Sequence, residues 1–323
     1  MLVLLEATGE PPPGIDAVPR SAELVTVRDD ARFADAVDAA DVVFAWDARR
    51  RWLERLGDAP RLRWLQAASD GVDHMLVPSL VARTDVVVTN ARGIFEAPIA
   101  EWVLGAILAM VTGLHRSIAD QAARRWTVGR RTQRLDGTHL LVVGPGPIGR
   151  ETAARARALG MTVGAVGRTA RLDPVLGDVV GREGFRDALA RADVVLDALP
   201  LTPETRGMFD ADAFGAMRLG ARFLNVGRGE TVVEAALVDA LRSGHLGGAA
   251  LDVFETEPLP TGSPLWSLPN VIVSPHISGD VEGYEEQTVA LFLDNLDRFI
   301  RGEPLRNLVD VRAGFGIGDA APR

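Results

Sequence analysis

Short apolar runs alternate with stretches of helical spacing along almost the whole chain. In its first part the runs Leu2–Leu5, Glu23–Val27, Val42–Ala45, Trp64–Ala67 and Val86–Thr89 have strand length. The stretches between them, Ala48–Leu56 for one, carry helical spacing. Phe95–Arg116 then predicts one long helix. Its apolar residues cover most of its circumference, so it should be buried on several sides, as at a domain junction or a subunit contact. A second alternating series follows, with strand candidates Leu140–Val143, Thr162–Val166, Val194–Ala198, Phe223–Val226, Ala249–Leu251 and Val271–Val273. Glu282–Ile300 reads as a further helix, with Leu291, Leu296 and Phe299 among its apolar positions. Strands alternating with helices predict an α/β class, parallel sheets covered by helices. Pro11-Pro12-Pro13 marks a turn, and the Gly- and Ala-rich tail after Arg312 reads as loose.

The chain has 323 residues, enough for two domains that each bury a core. A formal net charge of -9 argues against a nucleic-acid binder, which is more often basic. The absence of cysteine excludes disulfides, thiolate zinc sites and a cysteine nucleophile. No pair among the five histidines has the spacing of a helical metal site, so no metal is expected. The longest apolar stretch, Ile99–Leu114, is broken by Glu101, Gly105 and Gly113, which suits a buried helix better than a membrane span. Met1–Glu6 lacks the basic flank and length of a signal peptide, so a cytoplasmic location is expected.

Gly144-Pro145-Gly146-Pro147-Ile148-Gly149 fits the pattern G-x-G-x-x-G. It follows the strand His139–Val143 directly and opens a helix at Ile148–Leu159, the context that makes this pattern a dinucleotide site. Gly144 would permit the tight turn, Gly146 the approach of a pyrophosphate, and Gly149 close packing of helix on strand. The helix start offers free N–H groups and a partial positive charge to the phosphates, and Pro147 suits a first helical turn. The next strand ends in Val166-Gly167-Arg168-Thr169, where an acid would hydrogen-bond the ribose hydroxyls and repel a 2′-phosphate. Arg168, Thr169 and Arg171 stand there instead. A guanidinium grips a phosphate with paired N–H donors, so NADP(H) is the expected preference, with NAD(H) the second cofactor.

Three later segments run in order: Phe223-Leu224-Asn225-Val226-Gly227-Arg228-Gly229, Ala250-Leu251-Asp252-Val253-Phe254-Glu255-Thr256-Glu257-Pro258, and Val273-Ser274-Pro275-His276-Ile277-Ser278-Gly279. Together with the glycine loop and Leu199-Pro200-Leu201-Thr202-Pro203-Glu204-Thr205, they closely resemble the D-isomer-specific 2-hydroxyacid dehydrogenase family, in its glyoxylate/hydroxypyruvate reductase-like form. Reducing a 2-keto acid needs a carboxylate anchor, a proton donor for the ketone oxygen and a hydride donor. Arg228 is a permanent planar cation able to hold the carboxylate and polarise the carbonyl. His276 can deliver a proton near neutral pH, and a Glu257 carboxylate beside it would stabilise the imidazolium. The resemblance assigns the same roles to these three residues.

The resemblance also implies cofactor contacts from Leu199, Pro200, Thr205, Val226, Gly227 and Gly279. It implies that Asp252 accepts a hydrogen bond from the nicotinamide carboxamide; a structural role bridging loops is the alternative for that residue. Ala68-Ser69-Asp70-Gly71-Val72-Asp73 is similar to the family's substrate loop, whose backbone N–H groups at Gly71 and Val72 bind the carboxylate. Asp70 departs from that pattern, since an acid beside an anionic substrate is unfavourable unless it points away. Trp46 is expected near the substrate.

The resulting architecture is two Rossmann-like doubly wound parallel-sheet domains with an interdomain cleft: 93–280 for the dinucleotide, and 1–92 plus 281–323 for the substrate. The family is commonly dimeric, and the apolar helix agrees with a homodimer. A non-catalytic dinucleotide-sensing protein of the same fold is the rival to a dehydrogenase.

Overall fold

A computed structural model of the chain describes residues 1–48, 50–312 and 315–316. Most of the tail after Arg312 lies outside the described residues. The chain divides into two compact units: Met1–Phe95 with the chain from Val281 onward, and Glu96–Asp280.

In the first unit β1 (Leu2–Glu6), β2 (Glu23–Val27), β3 (Val42–Ala45), β4 (Trp64–Ala67) and β5 (Val87–Thr89) form one parallel sheet in the order β2-β1-β3-β4-β5. β3 and β4 are buried along their whole length, as a sheet covered on both faces requires. On one face Leu4, Val43 and Leu65 pack with Phe33, Leu53 and Leu80. Those three side chains come from α1 (Asp30–Ala36), α2 (Arg50–Leu56) and α3 (Pro78–Val81).

The second unit opens with α4 (Glu96–Thr112) and α5 (Leu114–Ala122). The single helix expected here is two, bent by 73°. Gly113, at φ +71, adopts the left-handed conformation that ends α4. The sheet is built from β6 (His139–Val143), β7 (Thr162–Val166), β8 (Arg171–Asp173), β9 (Gly177–Val180), β10 (Val194–Asp197), β11 (Arg222–Asn225), β12 (Gly248–Leu251) and β13 (Val271–Val273). Its helices are α6 (Pro147–Ala158), α7 (Phe185–Leu189), α8 (Ala211–Ala216) and α9 (Glu234–Arg242). The strand order is β13-β12-β11-β10-β6-β7-β9-β8, parallel except for β8 against β9. The strand order therefore reverses between β6 and β10. In open α/β sheets ligands bind beyond the carboxyl ends of the strands at such a reversal.

The chain then returns to the first unit as α10 (Tyr284–Arg301), followed by the short pair β14 (Val309–Asp310) and β15 (Phe315–Gly316). α10 covers the sheet face that α1–α3 leave open. Its Val289, Phe292 and Leu296 join Val3, Leu5, Phe44 and Trp64 in one buried cluster. Phe292 stacks on Phe44 at 4.3 Å and on Trp64 at 5.4 Å between ring centroids. Among the described residues no single helix is long and apolar enough to cross a membrane, and no group of three acidic or histidine side chains could hold a metal.

Candidate active site

The loops that follow β6, β7, β10, β11, β12 and β13 hold the candidate residues of the second unit. In the first, Gly144 has φ +99, and a Cβ there would lie 2.5 Å from the Ala198 carbonyl oxygen. A Cβ on Gly149 would lie 2.6 Å from the Gly144 oxygen. Both positions are closed to any side chain. A Cβ on Gly146 would meet nothing within 4 Å, so the backbone at the head of α6 is approachable from outside. Pro147 and Ile148 begin that helix, which presents its unpaired amides at the same point. This arrangement fits a dinucleotide pyrophosphate, the group that the sequence pattern implies.

Beyond β7, Arg168 and Thr169 are exposed. Hydrogen bonds from Thr202 and from its own amide hold the Glu204 carboxyl low, and the charges of Arg168 and Arg182 add to this. Arg168 therefore stands in a mixed field rather than a purely basic one. Beyond β10, the Thr205 hydroxyl donates to the Pro200 carbonyl at 2.7 Å and accepts from the Thr202 amide at 2.8 Å. Thr205 thereby knits the turn that begins with Leu199 and Pro200.

The Arg228 loop is braced from below. Asn225, the last residue of β11, accepts from the Gly227 amide at 2.9 Å and donates to the Arg228 carbonyl at 3.0 Å. Val226 and Gly227 are buried, and the Arg228 side chain is half-buried with one Nη1 bond to the Gly227 carbonyl at 2.8 Å. A Cβ on Gly229 would fall 1.8 Å from the Phe254 carbonyl carbon. Only glycine lets this loop lie against the turn that bears Glu257.

Glu257 Oε1 accepts from the Phe254 amide at 3.0 Å, and Oε2 faces His276 Nδ1 at 2.8 Å. Burial pushes the Glu257 carboxyl up. The hydrogen bonds from His276 and Phe254, with the charges of His276 and Arg228, outweigh it and hold the group below its usual range. The bond to Glu257 raises His276 above the ordinary imidazole value. Desolvation and the Arg228 charge oppose that rise, and the charges of Glu257 and Asp252 support it. The imidazole is half-exposed, so it can exchange a proton with a ligand. Its Nδ1 is committed to Glu257, which leaves Nε2 for that exchange.

His276 has φ +56, a strained conformation for a residue with a Cβ. Asp252, buried at the end of β12, holds the strained segment. It accepts from the Ser274 hydroxyl, from the Ile277 amide at 3.0 Å and from the Ser278 amide at 3.0 Å. Asp252 thus bridges the loops around the imidazole, and Gly279 follows directly.

The substrate-loop residues lie in the first unit. Asn90 donates to the Asp70 carbonyl at 2.7 Å and to its carboxylate at 3.2 Å, which ties the unexpected acid to its own unit. The Ser69 hydroxyl donates to the Gly71 carbonyl at 2.9 Å, and Val72 is buried. Trp46 packs edge-on to Phe44 at 5.6 Å against the core of this unit.

Within the second unit, then, Arg228, Glu257 and His276 act on one another electrostatically. Asn225, Thr231 and Asp197 brace the same loop, roles that no sequence motif assigns to them. For Asp197 and Asn225 the signal is a polar residue that closes an apolar strand run, as in Val194-Val195-Leu196-Asp197 and Phe223-Leu224-Asn225.

Comparison with known proteins gives the same picture. Residues 104–278 match the model of the D-isomer specific 2-hydroxyacid dehydrogenase NAD binding domain. A D-3-phosphoglycerate dehydrogenase of Mycobacterium leprae is 33% identical over 301 residues, covering 91% of this chain and 56% of that one. The chain thus spans little more than half of that relative. An (S)-sulfolactate dehydrogenase of Chromohalobacter salexigens is 35% identical over 250 residues, 76% of this chain and 80% of the other. Among solved structures, an NADPH-dependent glyoxylate/hydroxypyruvate reductase from Sinorhizobium meliloti, in complex with NADP and sulfate, aligns with a TM-score of 0.83, at 28% identity over 97% of this chain and 99% of that one.

Proposed function

From the premise that this chain belongs to the D-isomer-specific 2-hydroxyacid dehydrogenase family, we propose that it interconverts a small 2-keto acid and its 2-hydroxy acid as a glyoxylate/hydroxypyruvate-type reductase that prefers NADP(H). The single observation that carries the catalytic reading is the His276–Glu257 pair at 2.8 Å, within the field of Arg228. A bound reduced dinucleotide supplies the hydride. Arg228 holds the substrate carboxylate and draws electron density from the adjacent carbonyl. Protonated His276 gives its Nε2 proton to the ketone oxygen as negative charge develops there. Glu257 keeps the ring protonated and fixed in orientation. In the oxidative direction neutral His276 takes the hydroxyl proton. The intact acid–base pair has no task in a pure sensor.

The preference for NADP(H) is supported by Arg168, Thr169 and Arg171 where an acid would otherwise meet the ribose. In the first unit, the Gly71 and Val72 amides are the proposed further donors to a carboxylate. We also infer a homodimer, on the exposed apolar side chains Leu114, Ile118, Trp126 and Val128 of α5 and the segment after it. Light scattering in solution tests that inference, and a monomer at all concentrations would end it.

The deciding assay is a panel of glyoxylate, hydroxypyruvate and larger 2-keto acids, each with NADPH and NADH in parallel. Turnover with NADPH favoured is expected. His276→Ala should lower it by roughly 10²–10⁴-fold, the scale of a lost general acid. Dinucleotide binding without turnover of any 2-keto acid would overturn the catalytic reading.

A further inference from the structure

Asp197 closes β10, in register with Val143 of β6 and Asn225 of β11, and is completely buried. Its Oδ1 accepts from the Leu199 amide at 3.0 Å. Its Oδ2 lies 2.5 Å from the hydroxyl of Thr231, also fully buried. The same hydroxyl oxygen lies 2.6 Å from the Arg228 carbonyl oxygen. Thr231 thus stands at hydrogen-bond distance from two oxygens, and a hydroxyl has one hydrogen to donate. A carbonyl has none. A protonated carboxyl supplies a second hydrogen that satisfies both contacts.

We propose that Asp197 is a neutral carboxylic acid and a positioning residue for Arg228: its O–H donates to Thr231, whose O–H donates to the Arg228 carbonyl. This rests on Arg228 being the carboxylate anchor. Together with Asn225, the relay fixes the peptide from which the guanidinium projects. Loss of the Asp197 proton would turn the Thr231 hydroxyl toward the carboxylate and leave the Arg228 carbonyl with one donor fewer.

The surroundings agree. Burial pushes the Asp197 carboxyl up to about 7, against the Thr231 hydroxyl and the Leu199 amide, which lower it. No charged side chain contributes to that shift. His139, Asp193 and Arg222 lie at or before the amino ends of β6, β10 and β11. The charges of Arg228 and Asp252 bear on His276.

Two measurements test the proposal. Carboxyl-carbon NMR of aspartate-labelled protein reads the protonation directly and needs no turnover. It should show one carboxyl that titrates well above the ordinary range and is missing from Asp197→Asn. Kinetics read the positioning. The KM for the 2-keto acid should rise by about fivefold, the worth of one hydrogen bond, as Asp197 ionises. In Asp197→Asn, whose amide still donates to Thr231, this rise should vanish while kcat keeps its His276-governed pH profile. Thr231→Val should show the raised KM at every pH, with the Kd for NADPH unchanged. A normally ionising Asp197 carboxyl overturns the proposal even if the enzyme turns over. So does an Asp197→Asn variant that keeps the wild-type pH rise. A protein that turns over no 2-keto acid defeats the functional reading alone, since the NMR titration still decides the state of Asp197.

Discussion

His276 Nδ1 and Glu257 Oε2 stand 2.8 Å apart, and each moves the other's proton affinity in the direction that keeps both charged. The raised histidine contributes stability that is full below its unfolded value near 6.5 and is lost as pH rises through its folded value. The lowered carboxyl contributes stability that is present above its unfolded value near 4.5 and is lost as pH falls through its folded value. The charged pair is therefore whole between the two. Glu257→Gln should return His276 toward its ordinary value and move the alkaline limb of reductive kcat/KM to lower pH. The pH–rate profile measures this, and an unmoved limb would separate Glu257 from the proton chemistry.

Arg228→Lys keeps a positive charge and loses the planar pair of donors. The KM for a 2-keto acid should rise by roughly tenfold or more, as expected where one ammonium replaces a bidentate guanidinium. Michaelis constants measured beside the wild type check it. An unchanged value would mean that charge alone, without geometry, holds the carboxylate.

Asp252→Ala removes the acceptor of three hydrogen bonds that hold the His276 segment at φ +56. Hydrogen exchange at the Ile277 and Ser278 amides should accelerate, and kcat should fall by at least about tenfold as the imidazole loses its orientation. Unaltered exchange at those two amides would show that the loop holds itself.

Arg168→Asp replaces a phosphate-gripping cation with a group that repels a 2′-phosphate and accepts from ribose hydroxyls. The ratio of kcat/KM for NADPH over NADH should fall below that of the parent. A ratio that stays put would assign Arg168 to the neighbourhood of Glu204 and not to the cofactor.

Phe292→Ala should destabilise the protein by about 3–5 kcal/mol, the usual result of deleting a fully buried aromatic ring. Chemical denaturation checks it. A loss under 1 kcal/mol would mean that α10 contributes little to the first core.

The strands of both sheets were legible because parallel strands buried on two faces leave continuous apolar runs of fixed length, as in Val42–Ala45 and His139–Val143. β8 and β9 were not. Arg171 and Leu172 lie exposed on an antiparallel edge, which asks for no apolar pattern. The long helix misled because its apolar content continues through Gly113, where a positive φ, not polarity, ends α4. Arg228, Glu257 and His276 stand out by residue type and order, and the structure brings Glu257 and His276 to 2.8 Å within the field of Arg228. Thr231 does not, because a bracing residue of this kind is recognised by where its hydrogen bonds land. Asp252 was read toward the cofactor by resemblance; within the chain its carboxylate accepts from the Ser274 hydroxyl and from the Ile277 and Ser278 amides.

The first unit takes its chain from both sides of the second, and this orders events during synthesis. Residues 96–280 are all synthesised before Phe292 is. The nucleotide unit can mature alone, while Phe44 and Trp64 wait with one greasy surface bare until α10 arrives to cap it. A chain cut short at Asp280 lacks α10 altogether, so Phe44 and Trp64 keep one apolar face uncapped, a surface for chaperones.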